Sequence, residues 1–152
     1  MYRAARERIC AMVVDADPTR PVPATPLWDV HDMVAHLAGI VEDAVTGNMD
    51  GVTTDPWTAA QVARGRGRSV ADLVAMWSEG APLVETTLTE STGGNYDRAV
   101  LDVLTHEADL ANALGIPATP PADALSWAAA VLEVDFEVRV GDAGLDTVRV
   151  KA

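Results

Sequence analysis

Asp102 and His106 stand four residues apart in the segment YDRAVLDVLTHEADLANALG, residues 96–115, and no other pair in the chain suits chemistry better by type and spacing. The segment reads as a helix of about five turns closed by Gly115 and Pro117. Four residues advance a helix by roughly 400°, so the carboxylate and the imidazole project from one face, one turn apart. They can therefore address a single point in space. Both fall at the edge of the apolar arc of Val100, Val103, Leu104, Ala111 and Leu114, where a core ends and a pocket can begin. Asp109, three residues on, shares their stripe. Glu107 falls in the middle of the arc, so either the arc is less buried than its letters imply or this acid belongs to a buried polar pair.

A third group must come from elsewhere in the chain. Asp29 is a good N-cap with Asp32 three residues later, opening a helix over Val30 to Val45 whose apolar face is Val30, Met33, Val34, Leu37, Ile40 and Val41. His36 lies beside that face. His31 is about 140° away around the helix and is expected in solvent. Gly39 costs about 1 kcal/mol relative to Ala within a helix, so a close approach by a neighbouring helix is expected there.

The remaining elements follow from periodicity and punctuation. Tyr2 to Ala16 is an amphipathic helix with Arg3, Arg6 and Arg8 outward and Cys10 as a small core residue. Pro18 to Pro26 hold an extended connector. Asp55 as cap and Pro56 at the first position open a short helix through Ala63. GRGRS, residues 65–69, follows no strand and lacks the P-loop pattern, so it reads as a basic turn. A capping box over Ser69 and Asp72 opens the third long helix, with a kink expected near Ser78 from Pro82. Residues 91–95 form a turn into the segment first described, and 116–121 form a rigid connector. The alternating VDFEVRV at 134–140 would by period be a strand. Continuity with the helix starting near Asp123 favours helix to about Val140, a turn at 141–144 and an extended tail at 147–150. That tail would pair in a homodimer or belong to a longer parent chain. Trp28, Trp77 and Trp127 are expected as core fillers.

With 152 residues, 49% of them hydrophobic, the chain fits a single domain with a core of about 2–117 and a C-terminal extension of 118–152. The net charge of −12 would repel phosphate backbones and anionic membranes, which argues against nucleic-acid and membrane partners and leaves a small-molecule substrate. No apolar run is long enough to span a bilayer, and the stretch Ile9 to Val14 is too short for a secretory signal. One cysteine makes no internal disulfide, which suits a cytoplasmic location. Lys151 is the only lysine against ten arginines, a bias of GC-rich bacterial genomes.

Four long helices and no strand-rich region before the tail make an all-α bundle, a fold that builds cofactor sites from side chains on facing helices. If helices 30–45 and 96–115 face each other, His36 meets Asp102 and His106. Two imidazoles and a carboxylate with a fourth position open are the ligand set of a catalytic divalent site, Zn²⁺ being its usual occupant. Asp109 and Glu107 would then orient the ligands from behind.

PLWDVHDMVAHLAG, residues 26–39, resembles a PxW(S/T)VxDLVAHLAG segment, and LDVLTHEADLANALGIP, residues 101–117, resembles a second one, of the DinB-like, mycothiol-dependent maleylpyruvate isomerase family. The likeness runs roughly from Tyr2 to Pro117. It implies a DinB-like four-helix bundle holding a divalent metal, with the family's histidine falling on His36 and its carboxylate and histidine on Asp102 and His106. The family's pattern often has Glu where Asp102 stands, one methylene longer. It further implies activation of a low-molecular-weight thiol, mycothiol or bacillithiol, for transfer or for isomerisation of an unsaturated acid. The family's isomerases carry a C-terminal domain that contributes to substrate binding, and this chain is expected to stop where that domain would begin. The competing expectation is a non-catalytic module that binds a metal or a small acid, or a dimerising domain.

Overall fold

The computed structural model describes residues 1–90, 95–117 and 120–144. Among them are six helices and no strand: α1 (Tyr2–Val13), α2 (Val30–Thr46), α3 (Asp55–Gly65), α4 (Val70–Glu90), α5 (Asn95–Leu114) and α6 (Ala122–Asp142). The fold is all-α, as the periodicity predicts. The chain divides into two compact units, Met1–Ala118 with α1 to α5 and Thr119–Ala152 with α6.

In the first unit α2 is the central element. Asp29 caps it through a 2.8 Å bond from the Asp32 amide, and Gly47 ends it in the left-handed conformation (φ 77°) that only glycine adopts without cost. It packs against α4, α3 and α5, while α1 packs against α5 and α4. Met33, Val34, Leu37 and Val41 of α2 are at most 2% exposed, and Ile9, Leu73, Trp77 and Leu110 of α1, α4 and α5 are fully buried. Burying each such side chain is worth about 1.5–3 kcal/mol. Trp77 is a core residue, as expected, its indole N–H donating to the Tyr2 hydroxyl at 3.1 Å.

Gly39 and Gly65 let α3 lie directly on α2. A Cβ on Gly39 would stand 2.6 Å from Cβ of Gln61, and one on Gly65 would stand 2.3 Å from Cβ of Ala35. The close approach read from Gly39 is therefore made by α3. That helix starts one residue earlier than expected, with Thr54 at its N-cap and Asp55 and Pro56 inside its first turn. The capping box before α4 is formed as read, Ser69 Oγ accepting from the Asp72 amide and Asp72 Oδ2 accepting from Ser69. α4 is continuous through Pro82.

Several local expectations are corrected. α1 ends at Val13, and its arginines do not simply face solvent. Arg3 and Arg6 both bond Glu85 of α4, and Arg8 grips both oxygens of Glu107 of α5. The proline-rich connector folds back instead of extending. Pro21 and Asp29 form an antiparallel bridge, which buries Val22 completely. His31 is half-buried, its Nε2 donating to the Arg68 carbonyl at 2.8 Å. The basic turn that supplies this carbonyl is tied to α2 by Arg68–Glu42 and Arg66–Asp32 pairs. In the second unit, residues 134–140 belong to α6, so helical continuity prevails over the alternation. Most of the turn expected at 91–95 and the extended tail at 147–150 lie outside the described residues.

Candidate metal centre

α2 carries His36, 5% exposed, to the face of α5 that presents Asp102 and His106. His36 Nε2 lies 3.6 Å from Asp102 Oδ2, and His106 Nε2 lies 3.4 Å from Asp102 Oδ1. One donor atom from each of the three residues lies within 4.8 Å of the others. The rings of the two histidines stand edge to face, 5.5 Å apart between centroids. Segments 66 residues apart are thus brought together by the packing of α2 on α5.

These separations are longer than charge-assisted hydrogen bonds, which close to about 2.7–2.9 Å. Donor atoms around a tetrahedral Zn²⁺, at bonds of 2.0–2.1 Å, stand roughly 3.3 Å apart. Asp102 Oδ2 is buried without a hydrogen-bond partner although the side chain as a whole is 34% exposed, so one oxygen is desolvated while the other side of the group meets the cavity. An unpartnered carboxylate oxygen flanked by two imidazoles is a donor arrangement that could hold a divalent cation. Burial works against the charge on Asp102, yet the facing imidazoles of His106 and His36 outweigh it and hold the carboxyl well below the usual carboxylate range. Burial likewise opposes a charge on His106, and Asp102 with Asp109 outweighs it, raising the imidazole above its ordinary value.

Asp109 is placed behind His106, its Oδ2 accepting from Nδ1 at 3.1 Å. This directs the proton of the neutral ring to Nδ1 and leaves Nε2 as the lone-pair nitrogen toward Asp102. Glu107 is not brought to the cluster. Both its oxygens are taken by Arg8 in a part-buried ion pair, close to the second of the two alternatives its place on the arc left open.

The three residues sit in the wall of a cavity of about 340 Å³ whose other lining includes Trp28, Ile40, Met49, Val52, Thr53, Trp57, Thr58 and Arg98. Trp28 is not a core filler. It is half-buried, with its ring tilted over His36 at 5.2 Å and over His106 at 6.1 Å. Thr53 has a φ of 69°, a left-handed conformation that a β-branched residue rarely adopts. Sequence reasoning missed Arg98, Trp57 and Gln61, the last of which lies 2.8 Å from His36 Nδ1. Arg98 stands four residues before Asp102 on the same helix, and that spacing was a usable signal; for Gln61 the only hint was Gly39. A second grouping, Asp29, His31 and Asp32, also brings donor atoms within 4.8 Å. Its groups are already engaged, Asp29 in the helix cap and His31 on the Arg68 carbonyl.

Helical bundles build small-molecule sites from side chains on facing helices beside apolar cavities, and the His–Asp–His cluster has that placement. Residues 2–94, more than half of the chain, match the family described as mycothiol maleylpyruvate isomerase N-terminal domain, and the chain belongs to that family. The match contains His36 and ends before Asp102 and His106, so the pairing of these residues rests on the packing of α2 against α5. Comparisons with curated proteins and with solved structures gave no significant match.

Proposed function

We propose that the chain is a divalent-metal-dependent enzyme of the maleylpyruvate isomerase type, with His36, Asp102 and His106 as ligands and Zn²⁺ as the ion. The observation that carries this reading is the convergence of three donor groups from two helices around a buried, unpartnered carboxylate oxygen at a cavity wall. Three protein ligands leave one tetrahedral position open, the pattern of catalytic rather than structural sites. A cation held by these three residues would stabilise the thiolate of a low-molecular-weight cosubstrate, mycothiol or a similar thiol, near neutral pH without a protein cysteine.

The chain's own residues provide the rest. Cys10 lies on α1 outside the cavity lining, and burial pushes its thiol up, so it is not the nucleophile of this cavity. Asp109 keeps the His106 proton on the far side of the ring. Trp28, Ile40, Val52 and Trp57 give the cavity apolar walls that exclude water from a thiolate. Arg98, one turn before Asp102, adds a guanidinium to that wall, suited to the carboxylate of a small unsaturated acid as the thiol's acceptor. The reaction is thiol transfer to such a molecule or its thiol-assisted isomerisation. A reduced thiol cosubstrate suits the reducing cytoplasm.

Elemental analysis of the purified protein beside its His36→Ala and His106→Ala variants tests the site. About one divalent ion per chain is expected in the parent and little in either variant. A metal-loaded sample that bound no bacterial thiol and turned over no pairing of thiol and electrophile would reduce the protein to a non-catalytic metal-binding module.

A further inference from the structure

The imidazole of His36 offers Nε2 as a ligand only in the tautomer that carries its proton on Nδ1. Nδ1 lies 2.8 Å from Oε1 of Gln61 on α3. An amide can turn either an acceptor or a donor toward a ring nitrogen, so this contact alone leaves the tautomer open. The far end of the same amide closes it. Gln61 Nε2 lies 2.8 Å from Oδ2 of Asp43, and a carboxylate only accepts. The amide must therefore point its NH₂ group at Asp43 and its oxygen at His36. The other oxygen of Asp43 takes hydrogen bonds from Arg64 and from Asn48 Nδ2. Gln61 and Asp43 are each 1% exposed, so bulk water does not compete for these bonds.

We infer that Gln61, oriented by Asp43, is the positioning residue that locks His36 in the Nδ1–H tautomer and so aims its Nε2 lone pair at Asp102 and His106. The inference rests on the metal-site reading above and deepens it, by naming what keeps one ligand in its binding-competent form. The lock acts against a local preference. In metal-free protein the opposite tautomer would give the orphaned Asp102 Oδ2, 3.6 Å away, the proton donor it lacks. Gly39 is part of the device, because α3 brings Gln61 this close only where residue 39 has no Cβ. Trp57, one turn before Gln61, lines the cavity, so a single short helix supplies both a wall and the clamp.

Ring ¹⁵N NMR of the metal-free full chain at alkaline pH, where the imidazoles are neutral, reads the tautomer directly. His36 is expected as Nδ1–H in the parent. Gln61→Met keeps the volume and removes the amide; the ring is expected to turn to Nε2–H, and Zn²⁺ affinity to fall by ~10–100-fold. The double variant Gln61→Glu with Asp43→Asn keeps an acceptor at Nδ1 and a donor behind it, and is expected to restore the parent tautomer and affinity. Should Gln61→Met fail to fold, Asp43→Asn alone leaves the amide free to turn over and is expected to show both tautomers. An unchanged Nδ1–H ring in Gln61→Met, or in Asp43→Asn, overturns the inference, as does a double variant that fails to restore it. Because the tautomer is read without metal, a parent that bound no Zn²⁺ would sink the metal reading while leaving this result legible.

Discussion

Asp102 faces both histidines of the cluster. Together with Asp109 its charge outweighs the cost of burial at His106, so removing it should let desolvation weigh more heavily on that ring. Asp102→Asn is therefore expected to lower the pKa of His106 in an NMR titration and to abolish metal loading. Tyr2 offers an independent check on the buried core. Burial pushes its hydroxyl up to about 12, against the lowering effect of the Trp77 N–H that it accepts. A folded pKa above the unfolded one means a contribution fully present below pH 10 and lost as pH rises toward 12. Two units at 1.36 kcal/mol each make that loss roughly 3 kcal/mol. Tyr2→Phe should flatten the alkaline limb of stability in denaturant titrations at pH 9 and 11.5, while costing about 1 kcal/mol at neutral pH through the stranded Trp77 N–H. A variant with the same alkaline limb as the parent would show that Tyr2 ionises freely.

The element that shapes the surroundings of the site without carrying a ligand is the short helix α3. It reaches α2 through two glycines and brings Gln61 and Trp57 with it. Gly39→Ala should gain about 1 kcal/mol of helix propensity and lose more to overpacking, typically 1–3 kcal/mol, because the new Cβ would meet Gln61 at 2.6 Å. Lower thermal stability together with weaker Zn²⁺ binding is the expected pair of results, and a stabilised variant would mean that α3 yields freely. The cap of α4 is a simpler local contribution. Ser69→Ala removes the hydroxyl that accepts from the Asp72 amide, while the residue 69 amide keeps its bond to the Asp72 carboxylate, and is expected to cost about 1 kcal/mol by chemical denaturation, without effect on metal content.

For the whole molecule, every residue of the candidate site lies in the unit Met1–Ala118. The proposal is that this unit is the metal-binding domain by itself and that α6 is an extension. A version ending at Pro117 should fold and load the same amount of divalent ion; loss of loading would assign α6 a part in the site. A ligand that binds only the folded state stabilises it by mass action, about 2.7 kcal/mol at a hundredfold excess over its Kd. Chelation should accordingly lower Tm in the parent and leave His36→Ala unmoved. The net charge of −12 adds a field that favours cations over anions near the surface, which makes Arg98 in the cavity wall the more notable as a local reversal.

Periodicity and punctuation determined the helices of the bundle, because apolar spacing, the Asp29 cap and the Ser69–Asp72 box are local and each acts within a few residues. The four-residue spacing of Asp102 and His106 is local in the same sense. Their meeting with His36 was legible as a condition, namely that two helices face each other, and the packing of α2 on α5 satisfied it. Other features were decided by tertiary contact alone. Glu107 left the cluster because Arg8 arrives from α1, Trp28 became a cavity wall because the proline-rich connector folds back, and Gln61 acquired a role because two glycines let α3 lie against α2. Each depends on what a distant segment presents, and one segment's letters carry no record of its neighbour across the core.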